Sequence, residues 1–411
     1  MRTPLVFILP VVVLTLAGVW GCRELSPDQD ATAPVPDERW RDAPVGAQMG
    51  DPLPGLTEEE LARFHAGAAL FRRIFTPEEG LGPLFNENSC NACHTDPVDG
   101  GTGDQFLIRA TTWDSVEGCD LLLDEGGDNI RQRSTPLLAA HGIHGDLIPE
   151  RANAVGQFNV PFLFGLGLVE AIPEEAIVSR EDPYDRRGDG ITGRASRDAQ
   201  GRVARFGRKG QMVSIFDFNE EAIRLEMGLT TPLHPDEVGQ NRGPLPEGVD
   251  PAPNPEVDME TLALLTDFVR FLAPLPRDVP SDPLQRARVD EGERVFHEIG
   301  CTGCHVPYME TGPSPVAALD RQRIYLYSDL LLHDLGEALA DACGPQAAPS
   351  ELRTEMLMGL GRRHRFLHDS RAFSVSQAIE MHGGEAAPAR DRFLALPLDR
   401  QDALLRFLDT L

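Results

Sequence analysis

Positive charge, and lysine above all, is scarce in this chain of 411 residues: 38 Lys and Arg stand against 65 Asp and Glu, and Lys209 is the only lysine. The formal net charge of -27 argues against nucleic acid or an anionic membrane surface as a partner of the folded body. It suits a basic redox partner steered by long-range attraction, and equally plain solubility. Cysteine is limited to seven residues, so each one can be accounted for. The rest of the composition, 41% hydrophobic and 25% charged, is that of an ordinary globular protein, and the length allows two or three domains with real cores.

Four of the cysteines stand in two copies of one design. Cys90-Asn91-Ala92-Cys93-His94 and Cys301-Thr302-Gly303-Cys304-His305 both read C-x-x-C-H, the pattern of covalent c-type haem attachment. Two thiols three positions apart on one turn can each form a thioether with a haem vinyl group, and the adjacent His offers its imidazole to one face of the iron. A zinc site built from four thiolates, or a redox dithiol, would also use C-x-x-C pairs. Both leave the two following histidines unexplained. The expected cofactors are therefore two covalently attached c-type haems, with His94 and His305 as iron ligands.

The N-terminus points to export. Leu5 to Val19 is almost wholly apolar behind a single Arg, and Gly21 precedes Cys22, which reads as a short signal over residues 1–21 rather than a permanent span. The stretch resembles a bacterial lipoprotein signal in which Cys22 carries the lipid, although Trp20 is bulky where such signals have a small residue. The expectation is a periplasmic protein that meets the membrane only through this lipid anchor, with an uncleaved N-terminal helix as the alternative. Residues 22–56, rich in Pro, Asp and Ala without periodicity, read as a disordered tether. Cys119 and Cys343 remain as a candidate disulfide between the two halves in an oxidising compartment.

Two haem domains are expected, over 57–274 and 284–411, separated by the Pro- and Asp-rich stretch Pro274 to Pro283. Thr57 and Asp258 are placed to cap helices that carry apolar residues at helical spacing. The second half repeats the first in shortened form: Gly292 to Phe296 before the second motif echoes Gly67 to Phe71 before the first, and the closing helices Leu264 to Leu272 and Asp399 to Leu411 correspond. The fold class read from this is mainly α, two cytochrome c-like helical domains with long loops and a few short strands.

Other candidates are weaker. His141 and His144 read as surface residues. Glu170, alone in an apolar run, needs a partner or a proton, and a structural partner such as an arginine fits it. Asp182 to Gly193 has acids spaced somewhat like a Ca²⁺ loop, but Arg187 stands where a middle acid should be, so Ca²⁺ competes there with a plain turn.

With these landmarks the chain, over roughly Thr57 to Leu411, resembles the bacterial di-haem c-type oxidoreductases of peroxidase-like type, distant relatives of the bacterial cytochrome c peroxidases and of the MauG-type enzymes. The resemblance rests on Phe85 to His94, Gly165 to Pro173, Asp189 to Arg194, Ser328 to Gly336, Phe366 to Asp369 and Ala378 to Ala386. It implies an N-terminal haem that reacts with H₂O₂ or a substrate, and a C-terminal haem that relays electrons from a small redox protein or a quinol-linked donor. It also implies His382 as the second ligand opposite His305, with Met381, Met356 and Met358 as alternatives. Aligning the halves sets Ala222 to Gly228 against Ala378 to Gly383 and brings Glu226 to the distal position of the first haem, where a carboxylate can move a proton between peroxide oxygens. Met227 is its rival as an iron ligand, which would make the protein a non-catalytic electron-transfer cytochrome. The family's distal Gln has no firm counterpart; Asp217 lies at a similar offset. Three departures bear on activity more than on fold. Arg353-Thr354-Glu355-Met356 stands where the family has Arg-Thr-Pro-Pro, Ser370 where a Gly commonly follows His-Asp, and Arg208 where an aromatic is usual.

Overall fold

The computed structural model describes residues 40–411, so the signal and the Cys22 lipidation site lie outside the described residues. Two helix pairs position the two motifs. Thr57 accepts from the Glu60 backbone N–H and Glu60 reaches back to Thr57, a capping box that starts helix α1 (Glu58–Phe71). Ser214 caps α2 (Ile215–Glu226), and Asp258 caps α3 (Met259–Phe271) by accepting from Thr261 N–H at 2.8 Å. α1 packs across α3. In the second half α4 (Pro283–Glu298) packs across the closing helix α6 (Leu398–Asp409), with α5 (Val375–Glu380) between them in the chain.

The echo seen in the sequence has a packing cause. At Gly67 a Cβ would run into the backbone carbonyl of Leu264, and at Gly292 into that of Ala403, so each pre-motif helix meets its closing helix through a glycine. One turn on, Phe71 meets Phe268 at 4.7 Å with the rings tilted and reaches His94 at 6.1 Å, while Phe296 meets Phe407 at 5.4 Å and His305 at 6.5 Å between ring centroids. The glycine sets the crossing and the phenylalanine walls the haem-side histidine. Gly67→Ala and Gly292→Ala should each cost about 1–3 kcal/mol by overpacking, read as a lowered Tm; an unchanged Tm in both would refute the close crossing.

Helix makes up 32% and strand 14% of the chain, so the expectation of a mainly α protein is too strong: loops joined by short strands carry most of the rest. The longest strand, Phe106–Asp114, pairs antiparallel with Ala154–Asn159 (Phe106 opposite Asn159, Thr111 opposite Ala154) and with Gly118–Asp120. Leu332–Asp334 pairs with Glu351–Arg353. The short strands fall among the long loops where they were expected, but the pairing of Phe106–Asp114 with Ala154–Asn159 joins segments too far apart for local periodicity to register.

Residues 40–411 lie within one compact unit. Its largest core draws on Phe64, Phe71 and Phe268 from the first half and on Met309, Leu326 and Leu331 from the second; a smaller one holds Phe296, Tyr327 and Phe407. The tether expected up to residue 56 is partly built into this body. Arg41–Asp42 runs parallel to Gln322–Ile324, Leu53 is buried, and its N–H donates to Phe271 O at 2.7 Å. A two-residue strand has no periodicity to read, and its partner lies on the far side of both motifs. Cys119 and Cys343 are joined as a disulfide across 224 residues, with Cα atoms 5.9 Å apart.

Candidate functional site: two haem motifs and a carboxylate cavity

Both motifs close the same turn. His94 N–H donates to Cys90 O at 3.0 Å and His305 N–H to Cys301 O at 2.9 Å, which sets the two cysteines of each motif on one turn with the His beside them. Ser89 Oγ accepts from Ala92 N–H and starts the first turn. Each imidazole is oriented through Nδ1: His94 Nδ1 pairs with Gly101 O at 3.0 Å, and His305 Nδ1 with Tyr327 O at 2.9 Å. That leaves Nε2 of each ring for a metal. Burial pushes both imidazoles down to about 4, so they are neutral and able to ligate at neutral pH.

The four thiols sit where burial disfavours the thiolate. Burial raises Cys90, Cys93 and Cys301 to about 12 and Cys304 upward, and all four are unpaired. Redox dithiols and zinc ligands need the opposite, an environment that favours thiolate.

His382 stands just past α5, its Nδ1 paired with Ala378 O at 2.7 Å, so its Nε2 is free. It is half-buried, and desolvation lowers its basicity. Its imidazole is near enough to His305 to lower that group further, after burial. Met381 is partly buried and Met358 packs in the larger core against Gly165.

A cavity of about 430 Å³ opens beside the first motif, within the range of small-molecule sites. Cys90, Cys93 and His94 line it together with Glu226 and Met227. Glu226 is the last residue of α2, and its carboxylate is held on both oxygens: Asn86 Nδ2 donates to Oε2 at 2.7 Å and Asn129 Nδ2 to Oε1 at 2.8 Å. The same Asn86 amide donates to Asn129 Oδ1 at 2.9 Å, while its own Oδ1 accepts from the Gln132 backbone N–H at 2.9 Å. That backbone donor fixes which way the Asn86 amide faces, and the facing passes on to Asn129 and to Glu226. Burial raises the Glu226 carboxyl above its ordinary value, opposed by the two amides and by Arg109. A carboxyl shifted toward neutrality can both give and take a proton.

The sequence reading missed Asn86 and Asn129. Both of their amides bond Glu226, whereas Asp217, which lies at the offset of the family's distal Gln, sits in the first turn of α2 and accepts from Ser214 Oγ at 2.7 Å. Asn86 lies in the Phe85 to His94 segment on which the resemblance rests, four residues before Cys90, without a role assigned to it there.

Beside the second motif His333 is clamped between carboxylates, Nε2 to Asp329 at 2.9 Å and Nδ1 to Glu385 at 2.8 Å, and Asp329 N–H donates to Cys304 O at 2.9 Å. Glu385 also accepts from Thr192 N–H and Oγ1. Glu170 pairs with Arg270 at 2.8 Å and accepts from Ile215 N–H, as a structural carboxylate would. In the Asp182 loop the carboxylate accepts from Arg186 and Arg187 N–H and pairs with the Arg187 side chain, a self-closing turn. His141 and His144 are exposed.

Residues 42–110 and 143–411 match the family model described as "Di-haem oxidoreductase, putative peroxidase". The chain belongs to the di-haem oxidoreductase family. Both haem motifs, Glu226 and His382 fall within the matched residues. Solved structures similar to this di-haem oxidoreductase include the diheme peroxidase BthA of Burkholderia thailandensis, at 14% identity and TM-score 0.41 over 90% of this chain and 89% of that one. A MauG-like protein associated with microbial copper homeostasis gives 14% identity and TM-score 0.40, covering 92% and 94%. Kuenenia stuttgartiensis hydrazine synthase gives 13% and 0.41, covering 98% and 100%. No curated protein matches the chain.

Proposed function

We propose that this di-haem oxidoreductase is a periplasmic peroxidase, lipid-anchored at Cys22, in which H₂O₂ or a small substrate reacts in the cavity shared by His94 and Glu226. Covalent haem on Cys90 and Cys93, with His94 as ligand, and on Cys301 and Cys304, with His305 and His382 as ligands, would supply the redox chemistry when bound. The first site is the reactive one and the second the electron relay. Electrons come from a small basic redox protein or a quinol-linked donor, for which the charge of -27 provides the attraction.

The observation that carries the reading is the Asn86–Asn129–Glu226 network on the wall of the His94 cavity. The network holds the Glu226 oxygens in place while the burial of the carboxyl favours uptake of a proton. Glu226 then takes a proton from one peroxide oxygen and returns it to the other as the O–O bond breaks. His94 stays neutral and oriented by Gly101 O. His382, oriented by Ala378 O, completes the second site and closes it to exogenous ligands.

Optical and EPR spectra of the purified holoprotein, with and without H₂O₂, test this. The expected result is one high-spin and one low-spin ferric signal, the former changing promptly with peroxide, and CO binding to the reduced protein. Two low-spin signals indifferent to peroxide and CO would reject catalysis in favour of an electron carrier in which Met227 closes the first site.

A further inference from the structure

The three departures from the family pattern, which lie in separate loops, are joined in one buried chain of contacts. Ser370 Oγ accepts from Asn159 Nδ2 at 3.0 Å, Asn159 Oδ1 accepts from an Arg208 guanidinium N–H, and Arg208 pairs with Glu355. Ser370 has φ 63°, the left-handed region where the family's glycine is at ease, and its hydroxyl here gains a partner that glycine lacks. Two further arginines reach the same carboxylate, Arg353 at 3.2 Å and Arg363 at 3.3 Å. Burial opposes ionisation of Glu355, but Arg208, Arg363 and Arg353 together hold its carboxyl far below the ordinary range.

The charge does not balance. Three guanidinium groups whose side chains are 10%, 5% and 13% exposed surround one carboxylate, an excess of two positive charges. Asp329, the next acid to influence Arg353, is already taken by His333. Uncompensated buried charge is expensive, so such a cluster implies an anion. Donors are available for one: Nε of Arg208 and Nε of Arg363 are buried without partners. Arg208, Arg353, Glu355 and Asn159 all line the cavity of the first motif.

We propose that Arg208 and Arg353, backed through Glu355 by Arg363, form a carboxylate site in the wall of this cavity that takes the propionates of the first haem, and that Glu355 is a built-in carboxylate sharing the same guanidinium groups. The site rests on haem attachment at Cys90 and Cys93 and not on peroxidase activity. Arg208 is here a positioning residue. Glu355 tempers the positive field that Arg208, Arg353 and Arg363 would otherwise exert on a haem bound there.

The test uses full-length holoprotein carrying Glu355→Gln, Arg208→Gln or Arg208→Lys, with haem-to-protein stoichiometry measured first. Spectroelectrochemical titration should show the midpoint potential of one haem moving up in Glu355→Gln, which removes a negative charge, and down in Arg208→Gln. Arg208→Lys should stay near the parent, and the other haem should be unmoved. The propionate bending band in the resonance Raman spectrum should shift in Arg208→Gln. If Arg208→Gln fails to load, Glu355→Gln alone decides. Normal loading with neither potential moved overturns the site. A saturable change of the parent's spectrum on adding acetate would mean that free anions fill it, and would overturn the propionate assignment. Loading of one haem per chain instead of two would remove the reading of the first motif on which the site depends.

Discussion

Glu226→Gln is expected to lower peroxide turnover by about 10² to 10⁴, the usual contribution of a positioned acid–base group, with haem content and both proximal histidines unchanged. The substitution keeps the shape of the side chain and removes its ability to cycle a proton. It also places an amide where Asn86 and Asn129 both donate, at 2.7 and 2.8 Å, so one of those donors must turn away. Steady-state H₂O₂ reduction with an artificial electron donor, normalised to haem, makes the comparison. Full activity in this variant would remove Glu226 from the mechanism.

The second large effect is on stability. His333 is 3% exposed and bonded on both nitrogens, to Asp329 and to Glu385. His333→Leu would leave two nearly buried carboxylates without their cation, a loss of about 3–5 kcal/mol. The pH dependence follows from the directions of the shifts. Burial alone would lower the His333 imidazole, but its hydrogen bonds to Asp329 and Glu385 outweigh it and hold it above its ordinary value. A raised folded value contributes stability in full below the unfolded value of about 6.5 and loses it as pH rises toward the folded one. Glu385 is shifted the other way: burial raises it, but His333 and Thr192 bring it below its ordinary value. Its share is full above the unfolded value of about 4.3 and is lost as pH falls through its folded one. The gap in Tm between parent and His333→Leu should therefore be widest between about pH 4.5 and 6.5, and narrow on either side. A gap independent of pH would show that His333 acts through packing alone.

What could be read from the sequence was whatever is written locally or twice. The C-x-x-C-H motifs name their chemistry within five residues. The capping residues Thr57 and Asp258 announce helices because a cap acts three residues away. Gly67 and Gly292, and Phe71 and Phe296, were visible as a repeat because the same crossing and the same histidine contact are built in both halves. The same comparison brought Glu226 forward once the resemblance had singled out His382. The supporting groups were not legible, because they reach their partners across distant segments. Asn129 meets Glu226 from 97 residues away, and Arg208 meets Asn159 from 49. Arg208, Ser370 and Glu355 were each conspicuous as a departure, but nothing in their order along the chain says that the three touch. The short strands failed for a related reason: Arg41–Asp42 is a strand only because Gln322–Ile324 lies beside it.

The bond between Cys119 and Cys343 encloses Glu226, the second haem motif and most of the cavity wall in a single covalent ring. A protease that cut any exposed loop inside that ring would produce two fragments that remain one molecule, each still tied to the other beside the sheet that carries Cys119. Only a reductant would part them. In an oxidising compartment, then, the chain can be broken once in that interval without any piece of the redox site being free to leave.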